Sequence, residues 1–99
     1  MKIIETPGIA VLKSGRSVKV LQVTGEEGMV MPEHFCTKEA VLVVQRGSAI
    51  LEMDGTVFSL ARDQTVIIPG GTSHALKINE PFQAIVMMSI DSEIKFVNQ

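Results

Sequence analysis

The chain predicts an all-β fold, a small barrel or sandwich, and three observations carry that prediction. No stretch repeats apolar residues at helical spacing over a useful length. Short runs rich in Val and Ile alternate instead with clusters of Gly, Pro, Asp and Ser. Asp54-Gly55 stands between two strand-like runs, residues 48–53 and 56–60, and Asp-Gly favours the tight turn that matches strand twist. A two-residue loop sets the register, which can be checked against the side chains. Met53 then faces Thr56, Leu51 faces Phe58 and Ala49 faces Leu60 on one side, with Glu52–Val57 and Ile50–Ser59 on the other. The first side is nearly all apolar and the second is mixed, as a half-buried hairpin requires.

The remaining elements follow in order. Residues 9–12 open the series after Pro7-Gly8, and Ser14-Gly15 turns into residues 17–24. Gly25 to Gly28 is a break. Residues 29–31 run into Pro32, which calls for an edge or a bend because proline cannot donate to a ladder. Residues 41–44 are apolar on both faces, so a cover is expected on both, from the fold itself or from a second copy. Arg62-Asp63 turns into residues 65–68, the segment Pro69 to Ser73 into residues 74–79, and Glu80-Pro81 into residues 82–89, which are again apolar on both faces. Residues 94–97 are a last strand or a docking tail. A chain this full of strands manages its edges by closing into a barrel or by pairing with another copy.

With 99 residues the expectation is one domain over positions 1–99. There is no Trp or Tyr and only four Phe, so Val, Ile, Leu and Met must build the core. A formal charge of −2 without a basic run argues against nucleic acid as the main partner. The single cysteine, Cys36, excludes an internal disulfide. No segment has the length of a signal peptide or a membrane span, and the expected location is cytoplasmic, with no membrane partner.

The chemistry gathers near the turns. In the segment after Ser73, His74 shares a strand face with Leu76 and Ile78, the face expected to be buried, and a polar side chain there needs a partner. His34 and Cys36 are two apart and share a face as well. If both faces line one interior, two imidazoles and a sulfur converge, donors that suit zinc, iron, copper or nickel better than magnesium or calcium. The alternative is two barrel-lining histidines satisfied by hydrogen bonds and a cysteine that packs as a small hydrophobe. Met29, Met31, Met53, Met87 and Met88 either line an adaptable pocket or fill core space that aromatics leave free. Glu26-Glu27 and Asp91-Ser92-Glu93 read as solvated turns, and Gly70-Gly71 as a strand connector.

At these residues the chain resembles the cupin family. The first cupin motif runs Gly, five residues, His-x-His, three or four residues, Glu, six residues, Gly; here Gly28, His34 and Gly47 fall on it, with Cys36 at the second His and Ala40 at the Glu. The second runs Gly, five residues, Pro-x-Gly, two residues, His, three residues, Asn; here Pro69, Gly71 and His74 fall on it, with Asp63 at the first Gly and Ile78 at the Asn. The two motifs cover about half of the chain. The resemblance implies a double-stranded β-helix, or jelly-roll barrel. It also implies a divalent transition metal (zinc, iron, nickel or manganese) held by His34, Cys36 and His74, although the family's own set is three His and one Glu. Ala40 cannot ligate, and Glu39 is one step off and so turned to the other face.

The function expected first is binding of a small molecule in the barrel interior, with His34, Cys36, His74, Met53 and Met88 as the ligand-binding residues and a degenerate metal site. A metal-dependent dioxygenase- or isomerase-type enzyme using His34, Cys36 and His74, and a non-catalytic dimeric scaffold, are the alternatives. The sequence leaves catalysis itself open. A homodimer is expected from the two runs that are apolar on both faces.

Overall fold

The computed structural model describes residues 6–97. Among these residues eight strands follow one another without a helix: β1 (Gly8–Ser14), β2 (Val18–Gly25), β3 (Val30–Cys36), β4 (Ala40–Met53), β5 (Thr56–Ala61), β6 (Thr65–Ile68), β7 (His74–Ser89) and β8 (Ile94–Phe96). They form one hydrogen-bonded sheet that folds over on itself. The long strands β4 and β7 are the spine, antiparallel along nearly their whole length. Their outer parts belong to different halves. Ala40–Val44 and Phe82–Ser89 join β1, β2 and β6 in the first half; Ala49–Met53 and His74–Ile78 join β3, β5 and β8 in the second.

The runs read separately as residues 41–44 and 48–53 are therefore one continuous strand, and the turn expected at Glu80-Pro81 is a bend inside another. The ladder carries on through them with shifted register, Arg46 opposite Gln83 and Ser48 opposite Glu80. Gly47 makes this corner with φ +80°, a left-handed backbone that costs a side chain dearly. A Cβ there would also overlap the carbonyl oxygen of Pro81, so the two corners nest only with glycine at this position.

The hairpin adopts the expected register, from Met53 opposite Thr56 to Ser48 opposite Ala61, with Asp54 and Gly55 both at positive φ as the tight turn demands. Pro32 sits in a β-bulge. Met31 pairs with Leu76 and His34 with His74, so two residues of β3 oppose Ala75 alone.

Between the halves lies a core of aliphatic side chains and one aromatic. Phe82, Leu51, Ile78 and Val44 are its most enclosed large members, and Met31 and Met88 fill space beside them. Among the described residues β4 and β7 are not covered on both faces. Leu42 and Val44 are buried, whereas Val41, Val43 and Ile85 are only half-buried on the outer side and Met87 is exposed. No helix is long and apolar enough to cross a membrane among the described residues.

Candidate functional site

His34 and His74 meet inside the barrel because the bulge at Pro32-Glu33 realigns β3. Without the extra residue, His34 would turn to the outer face. With it, the two histidines are direct cross-strand partners, both buried, with ring centroids 4.2 Å apart and planes at 61°. The row continues sideways across the sheet: Phe96 pairs with His34 on one side, its ring centroid 5.3 Å from the imidazole, and Met53 pairs with His74 on the other.

Each ring is held by a backbone carbonyl two residues upstream. Nδ1 of His34 lies 2.7 Å from Pro32 O, and Nδ1 of His74 lies 3.0 Å from Thr72 O. A carbonyl only accepts, so both Nδ1 atoms donate and both Nε2 atoms carry a lone pair. Neither Nε2 has a hydrogen-bond partner among the described residues, yet no side-chain nitrogen or oxygen there is both sealed from solvent and unpaired. The two lone pairs therefore face accessible space. Burial pushes the His34 pKa down to about 4, against the Pro32 hydrogen bond, and His74 lowers it further. Burial lowers the His74 pKa too, against its bond to Thr72. Both rings are neutral at physiological pH.

His74 also borders an open cleft beside the hairpin tip, and both rings line a cavity of about 40 Å³ between the two halves of the sheet, room for a few water molecules. Its walls are almost wholly apolar. His34, Cys36, His74 and Met88 all line it, and so does Met31. Met53 does not. It lines that open cleft, next to the hairpin tip and Glu52. Cys36 is buried, and burial pushes its thiol pKa up while nearby Lys19 pulls the other way. Ile9 of β1 also lines the cavity while remaining 39% exposed, so the cavity reaches the surface beside this edge strand. Ile94 of β8 lines the same side. Neither Ile9 nor Phe96 stood out in the sequence, because each reaches the site only through strand pairing.

The donor set can be tested against a transition metal. The position aligned with the family's Glu is Ala40, which lines the cavity at 1% exposure, and Glu39, just before β4, is exposed. The position of the Asn is Ile78, buried in the core. Among the described residues no group of three His, Cys, Asp or Glu is arranged to hold an ion. Two imidazoles with a burial-protonated thiol fall short of the three or four ligands such sites use.

Solved structures resemble this arrangement closely in fold. A cupin superfamily protein from Desulfitobacterium hafniense is 15% identical, with 92% of this chain and 84% of that chain aligned at a TM-score of 0.78. An uncharacterised protein with a double-stranded β-helix domain from Klebsiella pneumoniae is 16% identical over 98% and 90% of the two chains, TM-score 0.80. A DMSP lyase from Ruegeria pomeroyi is 20% identical over 93% of this chain and 52% of its own, TM-score 0.85. No family model and no curated protein matches the sequence. The chain has the cupin double-stranded β-helix fold, and these identities carry the fold alone.

Proposed function

We propose that this chain is a binding module that seats the donor-bearing head of a small, mostly apolar molecule against His34 and His74, with no resident metal. The observation that supports this most is the pair of neutral imidazoles, tautomers locked by Pro32 O and Thr72 O, offering two acceptor lone pairs in an apolar cavity. A hydroxyl or amine head meets those acceptors; a carboxylate does not, since neutral Nε2 cannot donate. At about 40 Å³ the cavity takes a head group and not a whole drug-sized ligand. An apolar tail then leaves beside Ile9 and Ile94, where the cavity reaches solvent. Met31 and Met88 in the walls are unbranched thioethers that adjust to the shape of a guest.

The test compares two isomers, 1-butanol and diethyl ether, which share size and composition but differ in the donor. Titrations followed by the imidazole ¹⁵N shifts should show butanol binding about 3–10-fold more tightly, one hydrogen bond's worth, and the preference should vanish in His34→Phe and His74→Phe. Equal binding of the two isomers, or about one transition-metal ion per chain in protein purified without a metal-affinity tag, would overturn the reading.

A further inference from the structure

The cavity between the two halves selects among head groups by what its walls lack. Of the described residues that line it, His34 and His74 alone carry a side-chain nitrogen or oxygen. Both rings spend Nδ1 on a backbone carbonyl, so the side chains offer acceptors at Nε2 and no N–H or O–H donor beside them. No carboxylate lines the cavity, so a cation seated there would have no counter-ion. The two rings are cross-strand neighbours with centroids 4.2 Å apart. Two hydrogen bonds of about 3 Å from one atom end about 5 Å apart, a spacing compatible with those rings.

Resting on the binding reading above, we infer that the guest is a neutral primary arylamine whose NH2 group bridges His34 and His74, one N–H to each Nε2. Other head groups fit less well. An alkylamine is protonated at neutral pH and would bury an unpaired charge. An alcohol brings one donor, which leaves one of the two acceptors unmet. A carboxamide brings two donors, but its carbonyl oxygen would lie buried without a partner. In an arylamine the nitrogen lone pair is drawn into the ring, so the group stays uncharged at neutral pH, gives two donors and asks for none. The ring suits the walls as well: Met31 and Met88 line the cavity, and thioethers pack favourably against aromatic rings. With room for a few water molecules, the cavity takes the NH2 group and the near edge of the ring, and the far edge points to the opening beside Ile9. The cleft that His74 also borders is lined by Glu33, Glu52 and Asp54 and would favour a cation instead, which gives the test its contrast.

Three isomers of one composition separate the possibilities: para-toluidine, neutral with two N–H donors; N-methylaniline, neutral with one; and benzylamine, a cation at neutral pH. Titrations of the full chain followed by imidazole ¹⁵N shifts should show para-toluidine binding about 3–10-fold more tightly than N-methylaniline, one hydrogen bond's worth, and moving the Nε2 resonances of both histidines. Benzylamine should leave the Nε2 resonance of His34 in place. In His34→Phe or His74→Phe one acceptor remains and serves either arylamine, so the preference should vanish. A preference that persists in both variants would come from the shape of the N-methyl group and overturns the inference. So does equal binding of the two arylamines, a shift at only one imidazole, or tightest binding by benzylamine, which would put the guest in the acidic cleft. If a variant fails to fold, the paired Nε2 shifts of the wild type decide alone. The broader reading fails on a different result: a preference for butanol over diethyl ether, together with equal binding of the two arylamines, removes the arylamine and leaves the binding module standing.

Discussion

Acidification should weaken this fold in a defined window, because the barrel buries two imidazoles in their neutral form. His34 titrates near 6.5 when unfolded and is pushed down to about 4 when folded, chiefly by burial. Between those values the unfolded chain binds the proton and the folded chain does not, so stability rises with pH. The contribution is complete above about pH 6.5, declines as pH falls, and is gone once pH passes below about 4. At about 1.4 kcal/mol per pH unit the full depression corresponds to roughly 3 kcal/mol. The ring faces a cavity that reaches solvent, which screens the charge, so roughly 1–3 kcal/mol is the expected loss for His34. His74 adds to it in the same direction. The carboxyl of Asp91 is held at about 2, largely by its hydrogen bond from Lys38, and its own contribution fades only as pH falls below the ordinary carboxylate range toward that value, beneath most of this window. Urea unfolding at pH 7.0, 5.5 and 4.5 measures the effect. The wild type should lose stability steadily, and a His34→Phe/His74→Phe double variant should be nearly flat over the same range. A wild-type midpoint independent of pH, or an equal slope in the double variant, would refute the reasoning, since the loss would then come from groups other than these rings.

Two further outcomes follow from the packing. Gly47→Ala sets a methyl group against the Pro81 carbonyl and forces a left-handed backbone, so a loss of about 2–4 kcal/mol in denaturant unfolding is expected, and a loss below about 1 would mean the corner relaxes freely. Cys36 should react with an aromatic disulfide reagent at neutral pH at least tenfold more slowly in the folded than in the urea-unfolded protein, since burial both shields the thiol and raises its pKa; equal rates would place it outside the core.

The architecture was legible where the code is local. Alternation and turn chemistry predicted the Asp54-Gly55 hairpin to the residue, down to Leu51 opposite Phe58. Proline at position 32 announced an irregularity, found as the bulge. The reading of residues 41–44 and 48–53 as separate runs, and of Glu80-Pro81 as a turn between strands, failed because a bend shared by two neighbouring strands keeps their ladder intact, and only the neighbour reveals that. For the site, motif spacing pointed to His34 and His74, and both line the cavity. Met53, grouped with them by residue type, pairs with His74 and lines the open cleft that His74 also borders. Phe96 could not be foreseen, because a three-residue strand says nothing about which long strand it will join.

Sequence alone therefore determined the class of fold, the hairpin register and which faces of most strands are apolar, since period-two patterning and turn preferences act over a few residues. Tertiary structure decided the rest: that β3 lies beside β7, that a bulge turns His34 inward to meet His74, and that two carbonyls set both tautomers. Those outcomes depend on pairings between segments far apart in the chain, where the energy lies in the contact and not in either segment by itself.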